Sequence, residues 1–187
     1  MEILTFDKVL KDMKNCYQFE NVNMYQHGLM VNNEYLKLLL SLEKGVVPEG
    51  VPESLIEVYK KNWITLLDYE TMKHYQIYHD LGKPYCRIVN EEGKQQFPNH
   101  AQVSYEIYKQ LFPHLLIGHD LVKHDMDFHI LKASDEKAQE LIQSEIGFSL
   151  YLTAWAEILA NCQMFGGIES TSFKIKKKHL SKFIKYF

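Results

Sequence analysis

Apolar residues recur at helical spacing along nearly the whole chain. Residues 2–15 place Ile3, Leu4, Phe6, Val9, Leu10 and Met13 on a 3.6-residue period, which predicts a first helix. A second is predicted over 25–43, with Leu29, Leu36, Leu39 and Leu40 facing inward. The segment GVVPEGVPES breaks the pattern with two prolines and two glycines and reads as a surface loop, with Pro52-Glu53-Ser54 opening the next helix. Residues 53–68 and 70–81 form a predicted helix pair, the second ending near Gly82-Lys83-Pro84. YCRIVNEEGKQQFPN has no helical period; Cys86, Ile88 and Phe97 flank an Asn-Glu-Glu-Gly turn, so a short hairpin or ordered loop is expected. Helix resumes at Asn99, a candidate N-cap, and runs to Pro113. Further helices are predicted over 115–125, over 135–143 behind Ser134-Asp135, and over 145–163. A Gly166-Gly167 break precedes a terminal helix opening near Ser170-Thr171-Ser172. The pattern predicts an all-α protein of some seven to nine helices.

A chain of 187 residues is the size of one ordinary domain with a sizeable core. With 46% hydrophobic residues, nine glycines and five prolines, a disordered or fibrous chain is excluded. The net charge of −3 rules out a uniformly basic nucleic-acid binder. Charge is unevenly spread, however: from Phe173 to Phe187 there are six lysines and no acid, which makes 171–187 a basic terminal helix. This helix is either a solvated face with Ile175, Phe183, Ile184 and Phe187 packed on the body, or a surface attracting nucleic acid or polyphosphate. Cys16, Cys86 and Cys162 are widely spaced and lack CxxC spacing, so they read as free thiols in a reducing compartment. A charged N-terminus and the lack of a long apolar run predict a soluble, cytoplasmic protein without membrane contact.

Candidate chemistry centres on His79-Asp80-Leu81-Gly82-Lys83-Pro84. Adjacent helical side chains point about 100° apart, so this His-Asp pair does not form a neat proton-sharing dyad. It can grip one cation from two sides if other helices complete the shell. Donors that could do so are His27, His100, His124, Asp125 and Glu157. Glu157 is conspicuous because its helical neighbours are all apolar, and a buried unpaired carboxylate is costly. His119 competes with His124, since the two cannot share a helix face; spacing from His100 favours His124. His74, His114, Asp127 and His129 are expected on the surface or in loops, although His129 could line the mouth of a substrate site. Some of the tyrosines at 75, 78, 85, 105 and 108 could stack on a base, though core or rim packing is the commoner role.

The run HDLGKPYCRIVNEEGKQQFPNHAQVSYEIYKQLFPHLLIGHDLVKHDMDFH resembles the HD superfamily of phosphohydrolases, and most of all the HD domain of bacterial tRNA nucleotidyltransferases. Shared features are HD-x-GKP, a hydrophilic turn, a Phe before a His, a helix carrying Ser, and a later Val-x-x-His. The likeness is good over roughly 70–130 and loose over 20–45 and 150–165. It implies a single HD-type helical bundle spanning 1–187, holding one or two divalent ions (Mn, Ni, Co, Mg, Fe or Zn). His27, His79, Asp80 and a late acid would hold the first ion. Asp80 would bridge to a second, held by His100, His124 and Asp125. The family's last ligand is normally Asp; here Glu157 stands in that context, with Asn161 one turn on as its rival. The implied activity is phosphohydrolase or phosphodiesterase action on a nucleotide or an RNA-end phosphate, 2′,3′-cyclic or terminal, through metal-activated water. Asp80 and Lys83 would be the catalytic residues, and Lys83, Arg87 and His129 would bind substrate. The rival readings are a nucleotidase or deoxynucleoside triphosphohydrolase, and a degenerate module that binds nucleic acid or a regulatory nucleotide without turnover. Oligomeric state is not indicated.

Overall fold

The computed structural model describes residues 4–187, so the apolar position at Ile3 lies outside the described residues. It is 65% helix and 5% strand, the all-α class the periodicity predicts. Helix α1 (Phe6–Asn15) is capped by Thr5 and followed by a minimal antiparallel hairpin, β1 (Tyr17–Phe19) and β2 (Val22–Asn23). Asn23 caps α2 (Met24–Glu43) through a reciprocal box with Gln26. Helix α3 (Ser54–Asn62) continues as a single 3₁₀ turn over Trp63–Thr65 and stops short of residue 68. Asp68 caps α4 (Tyr69–Tyr78).

At the end of α4 the chain departs from the predicted helix over 70–81. It turns through His79–Gly82, with Lys83 N–H donating to Asp80 O at 3.0 Å, and opens the short α5 (Lys83–Cys86). Pro84 therefore begins a helix rather than ending one, because a first-turn residue has no N–H partner to lose. The predicted hairpin is present as β3 (Ile88–Val89) and β4 (Gln95–Gln96). Asn99 precedes α6 (His100–Leu111), yet its backbone is left-handed, with φ 56°, and its side chain makes no cap hydrogen bond. Beyond lie α7 (Leu116–Lys123), α8 (Asp127–Ile130), α9 (Glu136–Gln143) and α10 (Gly147–Met164), then α11 (Thr171–Ser181), capped by Ser170.

Helix α10 is the central rod: from Gly147 to Cys162 every residue except Glu157 and Asn161 is buried. It packs against α2, which packs in turn against α4; α6 and α7 cover the other side of α4, and α11 lies on α10 and α8. The inward stripe of α2 is Val31, Tyr35, Leu38 and Leu42. Leu29 and Leu40 lie on the opposite side and are 42% and 54% exposed, contrary to the prediction, because the run of leucines is wider than the one face the helix can bury. No helix among the described residues is long and apolar enough to cross a membrane.

Candidate metal centre

Two glycines let the donor-bearing segments approach closely. A Cβ at Gly28, next to His27, would lie 2.3 Å from the Ile77 carbonyl oxygen, so α2 and α4 touch through backbone there. A Cβ at Gly82 would lie 2.3 Å from the Ser104 nitrogen, and Gly82 N–H donates to Ser104 Oγ at 3.0 Å. These contacts bring His27 towards the His79-Asp80 turn on one side and α6 towards it on the other. A polar tier below fixes α4 between its neighbours: Asn32 Nδ2 donates to Gln76 Oε1 at 2.8 Å, and Gln76 Nε2 donates to Thr153 Oγ1 at 2.9 Å.

Asp80 is the hub. Its Oδ2 lies 2.6 Å from Lys83 Nζ, 3.2 Å from His79 Nε2 and 3.8 Å from His27 Nε2, while Oδ1 lies 3.8 Å from His100 Nε2. Lys83 also donates to Gln18 Oε1 at 3.1 Å. Opposite, Glu157 Oε2 is 2.8 Å from His129 Nε2, and Asn161 Nδ2 reaches Glu157 Oε1 at 3.4 Å. Asp125 is buried beside them and accepts from the Tyr75 hydroxyl at 2.5 Å.

His27, His79 and Glu157 each offer one ligand atom, and these atoms all lie within 4.8 Å of one another. Three ligands bound at about 2.0–2.2 Å around a common ion sit roughly 3–4 Å apart, so the set would draw together by up to about 1 Å to coordinate. The hydrogen-bond pattern points the same way. His79 Nδ1–H donates to the Gln76 carbonyl at 2.8 Å, which leaves the Nε2 lone pair facing inward when the ring is neutral. His79 Nε2 and both nitrogens of the fully buried His27 have no hydrogen-bond partner, and the Asn161 Oδ1 beside Glu157 has none either. Buried polar atoms are paired as a rule. Unpaired imidazole nitrogens aimed at a carboxylate are what a cation site needs, and these residues fit a divalent ion.

The local charges are strongly coupled. Burial alone would raise the Asp80 carboxyl, but His79, Lys83 and His27 outweigh it and hold the group well below its ordinary range. Burial would lower His79, yet the carboxylates of Asp80, Asp125 and Glu157 push it up to about 10. His27 goes the other way, lowered to about 4 by burial, with the positive charge of Lys83 adding to the effect. Glu157 is held low, against its burial, by His129. Asp125 is raised by burial and by the neighbouring carboxylates of Glu157 and Asp80.

The structure thus brings His27, His79, Asp80, Lys83, His100, Asp125 and Glu157 into one neighbourhood. It does not bring His124 there: that ring turns away, its Nδ1 2.7 Å from Asp127 Oδ2, in a patch shared with Lys137. Nor does it bring in Arg87, which is exposed. His119 is spent on the Phe112 carbonyl at 2.8 Å, and His74 is half-buried against the Tyr108 hydroxyl at 2.7 Å rather than on the surface. Asp127 is buried, not a surface residue. His129, expected on the surface or at a mouth, instead touches a donor of the cluster. Gln18 and Gly28 were not singled out by the sequence, and Tyr75 and Gly82 were noted there only as a possible stacking residue and as part of HD-x-GKP. Gly28 left a signal, an isolated glycine inside an apolar helix.

A cavity of about 390 Å³ opens onto the cluster, lined by Gln18, Lys83, His100, Glu157, Asn161 and Lys176 among others. A larger one of about 750 Å³ lies on the far face of α4 against Tyr78, Tyr108 and Leu116, away from these donors. No protein-family model, curated protein or solved structure matches the chain.

Proposed function

We propose that the protein is a metal-dependent phosphohydrolase or phosphodiesterase acting on a nucleotide or on the phosphate end of RNA. The observation that carries this reading is the convergence of His27, His79 and Glu157, with both nitrogens of His27 and the inward Nε2 of His79 buried without a hydrogen-bond partner, beside a cavity also lined by Lys83. The HD-x-GKP resemblance supports it independently. His27, His79, Asp80 and Glu157 would hold a divalent ion, with His100 and Asp125 as further donors. Such an ion, when bound, supplies a water of lowered pKa and neutralises charge on a phosphoryl oxygen. Lys83 is kept protonated, against its burial, by Asp80, and it presents a fixed positive charge to the cavity for the phosphate. His79 is oriented by the Gln76 carbonyl, and Glu157 is oriented by His129.

The test is metal uptake followed by a substrate panel. Saturation at a hundred times the dissociation constant adds about 2.7 kcal/mol, which raises the melting temperature of a chain this long by roughly 5–11 °C. Mn²⁺, Co²⁺, Ni²⁺ or Mg²⁺ should then support hydrolysis of a member of a panel of 2′,3′-cyclic nucleotides, mononucleotides and deoxynucleoside triphosphates. Both effects should vanish in His79→Ala/Asp80→Ala. If the native protein shows neither a metal-dependent melt nor turnover, the reading is wrong. A binding module without turnover is the second reading, favoured by the Lys83 ammonium sitting 2.6 Å from the Asp80 oxygen that an ion would use. Metal uptake with no turnover of any substrate selects it.

A further inference from the structure

We infer that α11 and the loop after α8 form a track for single-stranded nucleic acid, so that the end of a polymer, rather than a free nucleotide, reaches the donor cluster. This rests on the phosphohydrolase reading for the reacting group, but the track itself follows from separate residues.

Past Glu169 the chain carries no acid. Glu169 pairs with Lys174 at 2.7 Å, whereas among the described residues none of Lys176, Lys178, Lys182 and Lys185 has a carboxylate oxygen within 4.0 Å. Lys174, Lys178 and Lys182 follow one another at i, i+4 spacing, where like charges repel. A polyanion relieves that repulsion.

The placement of these cations is directional. Lys176 lines the same cavity as Lys83, His100 and Glu157, and its charge opposes protonation of His129. Three residues on, His179 Nε2–H donates to the Phe128 carbonyl at 3.0 Å, pinning α11 to the helix that carries His129. His179 then lines a second depression of about 550 Å³ with Lys182, Lys185 and, across from them, Lys132 and Ser134. Lys176 and Lys182 are about 9 Å apart along the helix at 1.5 Å per residue. The positive groups therefore continue from the cluster past the first cavity instead of encircling it.

The first cavity, at about 390 Å³, is of single-nucleotide size, and the basic groups continue beyond it. The second offers lysine, serine and the Tyr186 ring, which suits a phosphate backbone read without regard to sequence. Phe165 is 43% exposed at the first cavity, edge-on to Phe19 at 5.0 Å between ring centres, and can carry a stacked base.

The experiment is fluorescence anisotropy with a short labelled single-stranded RNA, beside an independent metal titration of the same proteins. In Lys132→Ala/Lys182→Ala/Lys185→Ala, the affinity for the strand should fall. The slope of log K against log salt should shrink by about 2, since each lost phosphate contact on a single strand is worth about 0.7. Metal uptake should be unchanged. The three lysines are exposed, and replacing them by arginine should keep the native slope. Lys109→Ala/Lys123→Ala, the same kind of change elsewhere, should leave strand binding alone. The inference is overturned if the triple variant keeps native affinity and slope, if the control pair weakens binding equally, or if anionic phospholipid vesicles bind and the strand does not. A track that holds the strand in a protein taking up no metal would sustain this inference and sink the phosphohydrolase reading alone.

Discussion

Replacing Gly28 by alanine tests whether the donor cluster depends on backbone contact between α2 and α4. The added Cβ would meet three backbone atoms of Ile77: the oxygen at 2.3 Å, Cα at 2.7 Å and the carbonyl carbon at 2.8 Å. No rotamer relieves a clash with backbone, and ordinary contact begins near 3.4 Å, so the two helices must part locally by about 1 Å. Overpacking of this kind costs about 1–3 kcal/mol, and a backbone partner puts it at the upper end. Alanine's better helix propensity returns about 1 kcal/mol. The net loss is about 2 kcal/mol, or roughly 4–8 °C in melting temperature for this length. His27 adjoins the contact on α2 and His79 lies two residues beyond Ile77, their rings 5.6 Å apart, so the same displacement should also weaken metal uptake, which tolerates about 0.5 Å of misplacement. Thermal melts with and without metal, together with calorimetric titration, read both effects. Should Gly28→Ala melt at or above the native temperature and take up metal as the native protein does, the close approach and the argument built on it are wrong.

His124 and His129 should separate cleanly. His124→Ala removes a partly exposed pair with Asp127, worth about 1 kcal/mol or less, and should leave metal uptake intact. His129→Ala strands the Glu157 carboxylate and should cost the metal-free protein about 3–5 kcal/mol, with altered metal affinity; abolished uptake in His124→Ala would overturn this placement. In metal-free protein, His27 titrates near 6.5 when unfolded and near 4 when folded, so the unfolded state takes up the proton first. Its share of stability is complete above about pH 6.5 and is lost as pH falls towards 4, up to about 3 kcal/mol. Melts of His27→Gln should lack that part of the acid limb, and an unchanged limb would contradict burial of a neutral ring.

Most helices were legible because their apolar period extends over two turns or more, and the odd carboxylate at Glu157 was legible because everything around it is hydrophobic. Shorter features fell below that threshold. Helix α8 spans four residues, too few for a period, yet it turns His129 towards Glu157 while the preceding turn leaves His124 on Asp127. Spacing from His100 counts residues along the chain and is blind to a rotation of that kind. The same limit hid the β1–β2 hairpin, whose strands are three and two residues long. Gly28 and Gly82 were visible as glycines, but the atoms they make room for, in Ile77 and Ser104, lie far along the chain. Leu29 and Leu40 show the converse: a helix richer in leucine than its buried face requires leaves some of them exposed.

The cluster's charges explain how an ion and this fold can coexist. Without a cation, Lys83, His79 and His129 are held protonated opposite Asp80, Asp125 and Glu157, so the buried groups match nearly charge for charge. A divalent ion added on top would leave two positive charges in excess. Coordination by His79 Nε2 requires that ring to give up its proton, and drawing Glu157 to the ion removes what keeps His129 charged. Ion and protons are therefore alternative occupants, and the balance is the same with either. It follows that a loaded cluster has little net charge left with which to meet a phosphate. Lys83 is already committed to Asp80 at 2.6 Å. The other lysine lining the cavity is Lys176 of α11, which has no carboxylate partner among the described residues. On the proposed phosphohydrolase reading, attraction of the substrate and polarisation of its phosphate would then be divided between two parts of the molecule, one on the terminal helix and one in the bundle.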